Sequence, residues 1–157
     1  MLAITTLPGA ILLHEGQTEG YRVRTPVQLR RRRQEPGNQH LRSFYERFLP
    51  LPDIRQGHFV VLHPHSARAG DDTYQALLAW AWAHETRCWL VVINYAEYLS
   101  QGSLNLTELP LPSGILRFRD HLHDSTYEHS RETVQDTGLP VVLPPFGTQL
   151  LEVTPPV

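Results

Sequence analysis

Between residues 38 and 49 the apolar positions Leu41, Phe44, Tyr45, Phe48 and Leu49 recur at i, i+3, i+4, i+7 and i+8, the spacing that gives a helix one apolar face. Asn38 stands where an N-terminal side-chain cap belongs and Pro50 and Pro52 where a helix must stop, so the pattern predicts a helix here. Upstream, residues 2–14 form an apolar segment broken by Pro8-Gly9 and ending in AILLH, a short unbroken run of the kind shown by a strand covered on both faces. The polar, glycine-punctuated loop EGQTEG follows it, the place where parallel-sheet enzymes put functional groups. From Tyr21 to Gly37 no periodicity survives.

Beyond Asp53 the period changes to two, through HFVVLHP, TYQALLAWAWAHE, RCWLVVINYAE, GSLNLTEL, GILRFRD and GLPVVLPPFGTQLLEV. Short strands separated by Gly, Pro and Ser predict an antiparallel sandwich or barrel. His84-Glu85-Thr86-Arg87 reads as the hairpin turn between two strong strands. Pro144-Pro145-Phe146-Gly147 interrupts the best strand signal of all. Proline donates no ladder hydrogen bond, so this reads as a corner between one strand at 139–143 and another at 148–153. The fold expected is therefore mainly β, with a domain boundary near residue 53 and no internal repeat.

Within the second period-two stretch, Trp80 and Trp82 share a face with Tyr74 and Leu78, while Leu77, Ala79, Ala81 and Ala83 take the other. On an open sheet such a row of rings would stack on sugar faces; inside a sandwich it is ordinary core, and Leu78 in the row favours core. His63-Pro-His65 and His121-Leu-His123, the latter flanked by Asp120 and Asp124, have the spacing that puts two imidazoles on one strand face. That spacing alone is weak, and polar surface residues are the plainer reading, so no metal or other cofactor is assigned.

Composition narrows the choice. In 157 residues, 41% apolar and 19% charged is the balance of a globular chain, and 10 Gly with 13 Pro favour short strands over long helices. A formal net charge of -2 gives no long-range pull toward nucleic acid or an anionic membrane. All the basic residues are arginine, which we read as compositional bias, and the run Arg30 to Arg33 reads as a solvated or ion-paired loop beside Glu35. Cys88 stands alone in an apolar strand, as a buried thiol in a reducing compartment would. No apolar run approaches a membrane span, and the N-terminal residues lack the basic start and cleavage site of a secretory signal. A cytoplasmic location is the expectation, unless the true N-terminus is missing. No G-x-S-x-G elbow or Cys-His pairing marks a nucleophile.

Taken in order, these parts resemble the end of an α-amylase-family glycoside hydrolase. LPGAILLHEGQTEG is similar to that family's eighth barrel strand and following loop, and QHLRSFYERFLPL to its last barrel helix. ALLAWAWAHETRCWLVVINYAE resembles the opening hairpin of its C-terminal β-sandwich, and GLPVVLPPFGTQLLEV that domain's final strands. The resemblance implies residues 1–52 as a strand, loop and helix remaining from a (β/α)8 barrel and residues 53–157 as an antiparallel β-sandwich. It also implies an absence. The family's nucleophilic Asp, acid/base Glu and second Asp lie on earlier barrel strands, so the chain is expected to be a non-catalytic C-terminal fragment. Its parent would act on an α-glucan or small α-glucoside, with the missing barrel portion as partner. Glu15 and Gln17 are the residues implied to lie nearest the substrate, and Trp80 and Trp82 are the candidates for sugar stacking. A free-standing carbohydrate-binding module and a structural or partner-binding subunit are the alternatives. His14 and Glu15 stand where many members carry tyrosine and glycine, which bears on subgroup and substrate.

Overall fold

In the computed structural model, residues 1–23, 26, 28, 31, 33–49, 51, 54–85 and 87–155 are described. The chain divides into two compact units, one made of Met1–Pro8 with Asp53–Val157 and the other of Gly9–Pro52.

The smaller unit is built on the expected amphipathic helix. Helix α2, Gln39–Phe48, begins at Asn38, whose side-chain oxygen accepts from the Leu41 amide and so satisfies one of the orphan donors of the first turn. The Asn38 amide donates to the Glu19 carbonyl at 2.7 Å, tying the polar loop to the helix start. Tyr45 and Phe48 are buried, and Phe44 stacks on Phe48 with ring centres 5.8 Å apart. The Pro50 and Pro52 stop signals lie outside the described residues.

The strand expected across AILLH does not form. Residues 10–14 hold no regular element, and Leu12 is 84% exposed. A parallel-type strand exists only with neighbours to take its N–H and C=O groups, and neither sheet of this chain contains residues from this segment. Residues 2–6 are also not a strand; they form a short helix, α1, Leu2–Thr6. The β-branched Ile4, Thr5 and Thr6 favour extended backbone locally. Tertiary partners override that preference: Leu2, Thr5 and Thr6 are buried, and the Thr5 and Thr6 hydroxyls donate back to the Leu2 carbonyl at 3.0 and 2.8 Å.

The larger unit is the antiparallel sandwich that the period-two stretches predict. Its strands are β1 His58–Leu62, β2 Pro64–His65, β3 Leu77–His84, β4 Arg87–Asn94, β5 Ser100–Leu104, β6 Ile115–Asp120, β7 Ser125–Ser130, β8 Leu139–Leu143 and β9 Thr148–Thr154. Among the described residues they form a six-stranded sheet ordered β1-β3-β4-β9-β6-β7 and a three-stranded sheet ordered β2-β5-β8. β3 and β4 are neighbours across the hairpin, in register from Leu77 opposite Asn94 to His84 opposite Arg87. Thr86 of that turn lies outside the described residues, and Glu85 takes a left-handed φ of 53°.

The core lies between the sheets. Ala79, Ala81 and Ala83 of β3, Leu90 and Val92 of β4, Phe118 of β6 and Leu151 and Val153 of β9 meet Leu104, Leu139, Val141 and Leu143 of the small sheet. Each of the leucine, valine and phenylalanine side chains among them, withdrawn from water, contributes roughly 1.5–3 kcal/mol. Because side chains alternate, the opposite face of the large sheet carries Trp80, Trp82, Trp89, Val91 and Leu150, and these are buried too. The tryptophans are thus on the outer layer of the sheet, not between the two sheets.

The corner is confirmed. β8 belongs to the small sheet and β9 to the large one, so Pro144–Gly147 carries the chain from one sheet to the other. Pro140 fits the same logic, because β8 is an edge strand and can lose a donor there. Two elements escaped the sequence reading: the edge strand β7, whose STYEHS carries no apolar alternation, and helix α3, Arg131–Thr137, capped by the Ser130 hydroxyl accepting from the Thr133 amide. The helix stops at Gly138, whose φ of +76° suits glycine and where a Cβ would lie 2.1 Å from the Ser103 hydroxyl oxygen.

Candidate functional site

The end of the sandwich where the corner lies is organised by one side chain, Asn94, the last residue of β4 and 1% exposed. Its amide nitrogen donates toward the carbonyls of Tyr98 at 2.7 Å, Pro144 at 2.8 Å and Leu143 at 3.2 Å. Its carbonyl oxygen accepts from the Ala96 amide and the Ser100 hydroxyl, both at 3.0 Å. Two N–H bonds and one carbonyl oxygen therefore join the 95–99 loop, the start of β5 and the corner. Main-chain bonds complete the join: Asn94 donates to the Gly147 carbonyl at 2.8 Å, Phe146 to Ala96 at 3.1 Å and Tyr95 to Ala76 at 2.9 Å.

Beside this node is an open groove of about 550 Å3, lined by Gly70, Asp71, Asp72, Thr73, Gln75, Ala76 and Tyr98. One wall is a 3-10 turn at Thr73–Ala76, closed by the Gln75 amide donating to the Asp72 carbonyl at 3.1 Å. The turn is pinned to β5 at several points. The Gln101 amide donates to the Thr73 hydroxyl at 3.1 Å, and the Gln101 side-chain amide donates to the Asp71 carboxylate. Gly102 makes the close approach possible, since a Cβ there would come within 2.8 Å of the Tyr74 Cβ. The Asp71 carboxylate also accepts from the Thr73 amide at 2.9 Å. Its hydrogen bonds from Thr73 and then Gln101 hold it below the ordinary 3.8. The opposite wall is Tyr98, 55% exposed, with its carbonyl held by Asn94.

The residues singled out from sequence fall elsewhere. Trp80 and Trp82 are 5% and 9% exposed, and their indole N–H groups donate to the Thr6 hydroxyl at 3.1 Å and the Thr6 carbonyl at 2.7 Å. Neither ring presents an open face to a sugar. In the smaller unit Glu15 is exposed and Gln17 partly buried, its side-chain oxygen accepting from the His14 amide at 3.4 Å. Of the arginine run, Arg31 and Arg33 are described; Arg33 lines a groove of about 540 Å3 with Tyr21, Gln34, Glu35 and Pro36.

The histidine pairs do not converge. His63 and His65 are exposed. His121 and His123 turn to different carboxylates, His121 to Glu152 at 2.9 Å and His123 to Asp120 at 2.8 Å. Glu152 also pairs with Arg87 at 3.1 Å, and the His121 ring lies 4.9 Å from that of Trp89. Among the described residues no group of three His, Cys, Asp or Glu side chains could hold a metal ion. Asp120 is buried and accepts from the Leu122 amide, and burial, then the Asp120 charge, raises the ionisation of neighbouring Tyr127 beyond the usual phenol range. Burial likewise pushes the Cys88 thiol up to about 12, which leaves it an inert apolar side chain. Among the described residues no helix is long and apolar enough to cross a membrane.

The groove and the Asn94 node were both missed from sequence. Asn94 had a signal, a polar residue ending the apolar run WLVVI, where a buried amide must find partners. The groove had none, since its walls are separated by more than twenty residues.

No family model matches this chain, and no curated protein matches it. Solved structures do. The α-amylase of Geobacillus thermoleovorans, in complex with acarbose, superposes with a TM-score of 0.71 at 15% identity, covering 99% of this chain and 32% of that one. A maltogenic α-amylase of Thermotoga neapolitana superposes with a TM-score of 0.73 at 14% identity, covering 98% of this chain and 35% of that one. The chain thus spans about a third of the length of these amylases. The resemblance read from the motifs holds at the level of fold along the chain.

Proposed function

We propose that this chain is the C-terminal part of an α-amylase-type glycosidase or transglycosidase acting on α-glucosidic bonds, itself without the catalytic carboxylates. The observation that carries the reading is the coverage: almost all of this chain, and about a third of each amylase, superposes in one alignment. The carboxylates present fit a non-catalytic role. Glycosidic cleavage needs a pair of carboxyl groups facing one bond, one of them with its ionisation raised. Asp120, the carboxylate fully buried among the described residues, is instead occupied by the Leu122 amide and His123. Substrate would be an α-glucan or small α-glucoside held by the parent enzyme, and the remaining barrel would be the chain's partner. The Trp80 and Trp82 face of the sandwich then serves as packing surface. A sugar-binding module that used Trp80 and Trp82 would need them facing solvent, and both indoles are bonded to Thr6.

The test is reducing-end release from soluble starch and maltoheptaose by the purified chain, together with the reading frame upstream of Met1. No release, and an upstream frame encoding the barrel strands with their carboxylates, is the expected result. Hydrolysis above background by the chain alone, or an upstream frame without those strands, overturns the proposal.

A further inference from the structure

We infer that the groove between the Thr73–Ala76 turn and Tyr98 binds a neutral oligosaccharide. This goes beyond the reading above, because binding on the sandwich stands or falls independently of whether the chain belongs to a hydrolase.

The groove's volume of about 550 Å3 falls within the roughly 300–1,000 Å3 typical of small-ligand sites. Its lining is of two kinds. Tyr98 offers a flat, half-exposed ring with a hydroxyl at its tip, and Ala76 adds a small apolar patch. Asp72 and Gln75, both exposed, add a carboxylate and a side-chain amide, while the Thr73 hydroxyl and amide are taken up by Gln101 and Asp71. A pyranose has the matching duality, since its C–H face lies flat on an aromatic ring while its edge presents hydroxyls to carboxylate and amide groups.

The competing ligands fit less well. An anion would meet Asp71 and Asp72. A cation would find only one carboxylate uncommitted to the turn, because Asp71 already accepts from the Thr73 amide and the Gln101 side chain. Among the described residues no third His, Cys, Asp or Glu side chain joins them. A purely apolar ligand would desolvate Asp72 and Gln75 without giving them partners.

The site is also rigid before anything binds. The Ser66 hydroxyl shares its one proton between the carbonyls of Arg68 at 2.6 Å and Asp71 at 2.9 Å, Thr73 is fastened to β5, and Asn94 holds the Tyr98 carbonyl. A sugar entering it would therefore order little new chain, and that ordering cost is what usually erodes the affinity of polar sites.

The experiment is an amide chemical-shift titration of the full chain with maltotriose and, separately, cellotriose, repeated on Tyr98→Ala and Asp72→Ala. Saturable shifts at the amides of residues 70–76 and 98 with either sugar, weakened about tenfold by Tyr98→Ala, support the site. Both substituted side chains are solvent-facing, and unchanged emission from the buried Trp80 and Trp82 confirms that the variants remain folded. The inference is overturned if neither sugar moves these amides, if Tyr98→Ala binds as tightly as the parent chain, or if calcium chloride moves the same amides and the sugars do not. Starch hydrolysis is read separately, so a failure here leaves the proposed function untouched, and the reverse.

Discussion

Replacing Asn94 by Ala removes, in one step, the bonds that hold the corner, the 95–99 loop and the start of β5 together. The carbonyl of Leu143 and the hydroxyl of Ser100 lose their Asn94 partner in a buried setting, while the Tyr98 and Pro144 carbonyls and the Ala96 amide are partly buried and can turn to water. A buried polar group left unpaired costs about 1–3 kcal/mol, and a hydrogen bond exchanged for water about 0.5–1.5 kcal/mol. These losses overlap, because all pass through one side chain, so we expect about 4 kcal/mol in total. For a domain of this size that is a fall of about 10 °C in Tm. Urea denaturation followed by the fluorescence of Trp80, Trp82 and Trp89, all in the sandwich unit, measures it.

Two companions make the result diagnostic. Ser100→Ala removes a single bond to Asn94 and should cost about 1 kcal/mol. Asn94→Asp keeps an acceptor for Ala96 and Ser100 but aims a carboxylate at three carbonyl oxygens. Desolvation and those oxygens would raise its folded pKa above the unfolded value of about 3.9. With the folded pKa raised, stability is present at low pH and lost as pH rises through the folded value, so Asn94→Asp should be worse at pH 7 than at pH 4. An Asn94→Ala loss below about 1 kcal/mol, or an Asn94→Asp stability that does not fall with pH, would refute the claim that this amide organises the site.

Three further outcomes are expected. Gly138→Ala should destabilise the sandwich by roughly 2 kcal/mol or more by urea denaturation, because φ +76° is strained for alanine and its Cβ would strike Ser103. Cys88, buried and with its thiol at about 12, should resist alkylation at pH 8 in the native chain and react once unfolded; native labelling at the unfolded rate would contradict its burial. Because its free form ionises near 9.0, its contribution to stability is complete below that pH and declines as pH rises toward the folded value. The Asp71 carboxyl should titrate below 3.8, so its support of the turn is present above that pH and lost as pH falls through the folded value; a carboxyl-carbon shift titration with a midpoint at or above 3.8 would contradict the geometry.

What local chemistry wrote into the chain can be named residue by residue. Alternation put Ala79, Ala81 and Ala83 on one face of β3 and Trp80 and Trp82 on the other, and the structure keeps that division. Asn38 and the apolar ridge from Leu41 to Phe48 specified a helix and its first turn. Two prolines made a corner of Pro144–Gly147, because a residue without an N–H cannot carry a ladder forward. All of these depend on neighbours within a few residues.

The tertiary structure decided the rest. AILLH has the composition of a buried strand, but a strand is stable only when other chain segments complete its hydrogen bonds, and among the described residues neither sheet contains this segment. LAITT prefers extended backbone by composition, yet it is helical, with Thr6 receiving the N–H groups of tryptophans more than seventy residues away. Which side of the sheet the tryptophans would face was likewise open, since both faces of β3 are buried. The groove combines a turn at 73–76 with a ring at 98 through the partners of Asn94 and Gln101. Periodicity, caps and prolines act locally, and so the apolar strands of the sandwich, helix α2 and the corner were legible in the chain, together with its likeness to part of an amylase. What those elements cover and what they leave open was settled by the folded chain, because burial and hydrogen-bond pairing belong to residues far apart in sequence.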